Sequence, residues 1–105
     1  MISLLKFDKK YYQMIVDGVK TQTLRNKNKR LVEGEIIKAI FPGTDLEIML
    51  KITSVGYKQF KYLDEEDAEL EGYSNVDDLK KELLEFYPLL GSFDRIYMYG
   101  FEVVD

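Results

Sequence analysis

Short apolar runs, most of them closed by a glycine or proline turn, divide this chain into stretches of strand-like and helix-like periodicity. Residues 2–7 read as a strand, and Asp8 follows where an N-cap would open a helix running to about Asp17. Inside that helix Tyr11, Met14 and Ile15, with Tyr12 and Val16 beside them, keep helical spacing, and Gly18 stands where a left-handed C-cap would end it. Residues 21–26 alternate and are rich in strand formers, which predicts a strand leading into the polar loop 27–30. After a turn at Glu33-Gly34-Glu35 comes the apolar strand 36–41. Pro42-Gly43-Thr44-Asp45 then marks a hairpin that pairs it with residues 46–57.

In that second strand Leu46, Ile48 and Leu50 share one face and Glu47 and Lys51 the other, until the alternation breaks between Ile52 and Gly56. Gly56 is the expected site of a bulge or bend, and a long strand that curves suits a small barrel. Residues 63–71 predict a short helix capped by Asp64 and ended by Gly72, with early acids matched to its dipole. Ser74 or Asn75 caps a further helix to about Phe86, with Val76, Leu79, Leu83 and Phe86 on one stripe, and Tyr87-Pro88 stops it. A last strand covers residues 94–104, in which core-facing and edge positions are not distinguishable by pattern. The order of elements predicts one α+β domain over residues 1–105, with a sheet that curls into a barrel.

Composition narrows the chemistry. The chain has no histidine and no cysteine, so imidazole bases, thiolate nucleophiles, disulfides and the usual zinc or iron ligands are excluded, only a carboxylate site for magnesium or calcium is left open, and neither metal nor cofactor is expected. A hydrolytic enzyme built from it must take its base from lysine, carboxylate or tyrosine. No apolar run is long enough for a membrane span and the N-terminus lacks the pattern of a secretory signal, so the expected location is cytoplasmic, with no membrane partner. The net charge of −4 opposes a surface given over to long nucleic acid. It hides a segregation: Lys20, Arg25, Lys27, Lys29 and Arg30 lie together without an acid among them, whereas residues 64–71 carry six acids.

The densest chemistry is Gly18-Val19-Lys20-Thr21-Gln22-Thr23-Leu24-Arg25. On a regular strand Thr21, Thr23 and Arg25 share a face. Lys20 would then point away from Thr23, and for the two to act together an irregular backbone at Val19 and Lys20 is expected, bringing the ammonium within hydrogen-bond reach of the Thr23 hydroxyl. Taken alone, Lys20 is a solvated lysine, Thr23 a strand former, the acidic run a solvated helix face and the basic loop a solubilising surface.

Three segments change that weighing. Residues 15–25 with the pattern Gly18-x-Lys20-Thr21-x-Thr23-x-Arg25, the segment Asp67-Ala68-Glu69-Leu70-Glu71-Gly72-Tyr73 with its following helix and Tyr87-Pro88, and Ile96-Tyr97-Met98-Tyr99-Gly100-Phe101 occur in the order seen in ASCH domains. The chain resembles these domains of the PUA-like fold, and among them the small bacterial N(4)-acetylcytidine amidohydrolases. The turn before residue 36 departs from that pattern, reading Gly34-Glu35 where Gly-Asp is the rule.

The resemblance implies a mixed β-barrel flanked by helices and a cleft beside the first helix. Its implied reaction is removal of the acetyl group from N(4)-acetylcytidine or a related acetylated nucleoside or base. It assigns catalysis to Lys20, Thr23 and Glu71, while Arg25, Thr21 and Phe7 are the residues expected to bind the substrate. Two mechanisms fit: Thr23 attacks with neutral Lys20 as its base, or charged Lys20 stabilises the oxyanion while Glu71 activates water. A non-catalytic module with RNA as its partner is the alternative, and a ribonuclease the third choice.

Overall fold

The computed structural model describes residues 2–104. Five strands, β1 (Leu4–Lys6), β2 (Gln22–Arg25), β3 (Ile36–Ile40), β4 (Glu47–Gln59) and β5 (Arg95–Val103), form one mixed sheet in the order β1-β3-β4-β5-β2. The β1–β3 pair is parallel and the other three are antiparallel. The hairpin expected at residues 42–45 is present, with Ile37 opposite Leu50 and Ala39 opposite Ile48. β5 lies between β4 and β2, so its Tyr99 and Phe101 are buried inside the curl of the sheet while Ile96 faces the helices.

The bulge sits elsewhere than at Gly56. Ile52 pairs with Phe101 and Ser54 with Gly100, leaving Thr53 as the extra residue, while Gly56 pairs regularly with Met98. The cause lies on the partner strand, since a Cβ at Gly100 would fall on the Ser54 hydroxyl and within 3.0 Å of the Thr53 hydroxyl. One inserted residue reverses the facing of β4. Ile48, Leu50 and Ile52 point into the barrel before the bulge, and Val55 and Tyr57 stand opposite Tyr99 and Tyr97 after it.

The edge strands β1 and β2 are not neighbours in the hydrogen-bonded order, and side chains bridge them instead. The Phe7 ring, just beyond β1, packs edge-on against Phe101 and lies 4.8 Å from the Arg25 guanidinium at the end of β2. The first helix is split into a 3-10 turn, Lys9–Tyr11, and α1, Tyr12–Val16, and the Asp8 carboxylate caps the turn by accepting from the Lys10 N–H. Tyr11 and Ile15 from this segment join the barrel core.

A second core lies on the outer side of β2 and β5. There α2 (Glu65–Glu71) and α3 (Val76–Phe86) bury Ala68, Leu79 and Leu83 against Leu24, Phe60, Leu63 and Ile96. Full burial of each large aliphatic side chain contributes about 1.5–3 kcal/mol. Asp64 and Asp67 form a capping box at the start of α2, and Asn75 caps α3. Phe86 departs from the expected stripe: it is half-exposed and stands at the rim of a cavity. Among the described residues no helix is long and apolar enough to cross a membrane.

Candidate active site

The turn after α1 decides where Lys20 points. Gly18 has φ +73°, a backbone conformation that glycine adopts without strain, and the N–H groups of Val19 and Lys20 then both donate to the Met14 carbonyl at 2.9 and 3.0 Å. The irregular backbone expected at Val19 and Lys20 is present, and it directs the lysine side chain inward. α2 is tied to the next residues: Thr21 N–H donates to the Leu70 carbonyl at 2.8 Å and Gln22 Nε2 to Asp67 Oδ1 at 3.4 Å. This docking sets Glu71 opposite Lys20.

Lys20 Nζ lies 2.8 Å from Glu71 Oε1, and the two residues are only 4% and 3% exposed. The same ammonium sits 4.8 Å from the centre of the Tyr11 ring, a cation-π contact that further compensates its burial. Glu71 Oε2 is fully enclosed and has no hydrogen-bond partner among the described residues. Burial pushes the Glu71 carboxyl up to about 6, against the opposing pull of Lys20 and Arg25. Thr23 is buried as well, and its Oγ accepts from Arg25 Nε at 2.9 Å. Burial lowers the pKa of the Arg25 guanidinium.

These groups share one cavity of about 130 Å3. Lys20, Thr23, Glu71, Arg25 and Phe7 all line it, whereas Thr21 does not. Thr21 lines a separate hollow with Ile15 and Phe101, and its part in the site is the backbone bond to Leu70. Among the described residues Lys20 and Thr23 make no hydrogen bond to each other: the ammonium is turned to Glu71 and the hydroxyl to Arg25. The basic loop lies outside the cavity, with Lys27, Lys29 and Arg30 exposed and Lys29 N–H held by the Tyr99 hydroxyl.

A second set of lining residues was not legible as a unit in the sequence. It holds Tyr11, Tyr73, Glu82 and Tyr87, brought from α3 and from the segments that flank α1, α2 and α3. The Tyr11 hydroxyl donates to Glu82 Oε1 at 2.9 Å and lies 3.0 Å from the Tyr73 hydroxyl. Burial raises the pKa of both tyrosines. Glu82 flanks the buried Leu79 and Leu83 stripe, a position at which a charged residue is ordinarily solvated, so nothing in the pattern singles it out. The burial of Asp67 and Glu71 did leave a signal: four residues apart, with Ala68 between them, they mark one inward face in an otherwise acidic helix. Among the described residues no cluster of three or more acids suited to a metal ion is found.

No protein-family profile and no curated protein matches this sequence. Solved structures do resemble it. A DUF984-family protein from Enterococcus faecalis V583 superposes with a TM-score of 0.79 at 20% identity, over 100% of this chain and 77% of that one. An ASCH domain from Lactobacillus crispatus JV V101 gives 0.79 at 16% identity, over 97% and 79%. The hypothetical protein PH0355 gives 0.75 at 20% identity, over 99% and 100%. At these identities the likeness speaks for architecture, and the curled sheet with its flanking helices is the α+β, PUA-like fold found in the ASCH domain.

Proposed function

We propose that this protein hydrolyses the acetyl amide on the exocyclic nitrogen of N(4)-acetylcytidine, or of a related acetylated nucleoside or base, to release the amine and acetate. The observation that carries this reading is the enclosed Lys20–Glu71 pair with one carboxylate oxygen unpartnered, beside Thr23 and Arg25 in a cavity of about 130 Å3. Such a space suits one planar ring with a small substituent. Tyr87, only partly buried, offers it an aromatic ring, while the Phe7 ring is taken up by Phe41 and the Arg25 guanidinium.

The hydrogen bonds favour direct attack by water over attack by Thr23. Glu71 Oε2 accepts a proton from a water molecule whose oxygen bonds to the acetyl carbon, and Lys20 Nζ donates to the carbonyl oxygen as it becomes an oxyanion. When the intermediate collapses the C–N bond breaks and Glu71 returns its proton to the departing nitrogen. The second water proton leaves with the acetic acid, which ionises. Thr23 accepts from Arg25 and keeps its own hydroxyl proton to hold the carbonyl or the water.

The test is direct. Pure protein incubated with N(4)-acetylcytidine should change its ultraviolet absorbance as cytidine forms, and Glu71→Gln should abolish the change while the circular dichroism spectrum is kept. The competing reading, a non-catalytic RNA-binding module, draws on the exposed Lys27, Lys29 and Arg30. An RNA gel shift with steep salt dependence, and no turnover of any acetylated substrate, would replace the hydrolase by that reading.

A further inference from the structure

The cavity that holds the Lys20–Glu71 pair is also lined by a second carboxylate, Glu82, that the hydrolysis does not use. Glu82 Oε1 accepts from the Tyr11 hydroxyl and pairs with Lys10 Nζ. A phenol has one proton, and Tyr11 gives its own to Glu82, so the Tyr73 hydroxyl must be the donor to Tyr11. Two donors thereby fix Oε1, while Oε2 accepts no hydrogen bond among the described residues. Burial works to raise this carboxyl, but the bonds from Lys10 and Tyr11 outweigh it and keep its pKa low, so Glu82 is an ionised acceptor at neutral pH.

Exposure grades along the cavity. Lys20, Thr23 and Glu71 are almost fully buried and mark its deep part, the Glu82 side chain is 16% exposed, and the Lys10 side chain beside it is 49% exposed next to half-exposed Phe86. A ligand whose acetamide meets Lys20 in that deep part fills the cavity with its ring. The group attached to the far side of that ring emerges where Glu82 stands.

Resting on the hydrolase reading above, we propose that Glu82 selects a ribonucleoside over the free base, its Oε2 accepting hydrogen bonds from the vicinal 2′- and 3′-hydroxyls of ribose. Hydroxyls supply protons that a carboxylate lacks, and an acidic side chain plays this part toward ribose in dinucleotide sites. Tyr11 is the positioning residue: its ring meets Lys20 and its hydroxyl anchors Glu82, so one side chain links the two ends of the cavity.

Calorimetric titration of the intact protein with cytidine, 2′,3′-dideoxycytidine and cytosine tests this without requiring turnover. Cytidine should bind about 10–100-fold more tightly than the other two, as expected for hydrogen bonds to a charged group. Glu82→Ala should bring the three affinities together, and Tyr11→Phe should narrow the gap in part. In turnover, the same variants should raise KM for N(4)-acetylcytidine relative to N(4)-acetylcytosine, with little change in the ratio of kcat values. Equal binding of cytidine and dideoxycytidine by the wild type, with acetylcytidine still hydrolysed, would overturn the role of Glu82 and leave the hydrolase standing. A preference that persists in Glu82→Ala would do the same. Absence of both cytidine binding and hydrolysis would overturn both readings.

Discussion

Replacing Lys20 by methionine leaves Glu71 at the same enclosed position without the ammonium that lies 2.8 Å away. The consequence depends on pH, because a buried carboxyl that loses its partner can protonate. In the wild type burial holds Glu71 at about 6, above the ordinary 4.5. Between these values the folded chain binds more protons than the unfolded one, so stability falls as pH rises through the window and levels off above it. At about 1.4 kcal/mol per pH unit the fall from this group is about 2 kcal/mol.

Without Lys20 the carboxyl stays protonated to higher pH. The cost relative to the unfolded chain is then at most about 3 kcal/mol at pH 7 and about 5 kcal/mol at pH 8. Against the wild type, Lys20→Met should lose up to about 1 kcal/mol at pH 7 and up to about 3 kcal/mol at pH 8, and nothing by this route at pH 5. Urea unfolding followed by far-ultraviolet circular dichroism at pH 5, 6, 7 and 8, at constant ionic strength, measures the difference directly. A stability difference that is flat from pH 5 to pH 8 would refute the buried pair as the source of the effect.

Other outcomes follow from the same geometry. For N(4)-acetylcytidine, kcat/KM should rise as pH climbs through about 6, where Glu71 becomes the ionised base, and a profile flat from pH 5 to pH 8 would remove it from that role. Thr23→Ala should slow turnover by about 10–100-fold, as for loss of one hydrogen bond to a charged group, and mass spectrometry of quenched enzyme should find no acetyl on Thr23. An acetyl-threonine adduct would restore Thr23 as the nucleophile. Gly72→Ala places a Cβ against Met14 Cε at a residue with φ +87°, and should cost about 1–3 kcal/mol, read as a lowered thermal midpoint. Asp64→Ala breaks the capping box of α2 and should cost about 1 kcal/mol in urea unfolding.

Local chemistry was sufficient for the parts of this protein that depend on neighbours in the chain. Asp64 and Asn75 cap their helices because a short polar side chain reaches the third N–H beyond it, and Gly18 and Gly72 end theirs in a left-handed conformation that a Cβ opposes. The hairpin at residues 42–45 is of the same kind. The pairing of Lys20 with Glu71 came from resemblance and not from spacing, since 51 positions separate them.

Only the tertiary structure decided the rest. The bulge lies at Thr53 because Gly100, on another strand, leaves room for the Ser54 side chain, and no pattern within β4 records that vacancy. Glu71 is enclosed because α2 docks on β2 through Leu70 and Asp67, whereas the other acids around it meet water. Glu82 enters the cavity because α3 sets it against Tyr11. Whether a charged side chain is solvated or held in a recess depends on what the folded chain places opposite it, and that opposing surface is absent from any single stretch of residues.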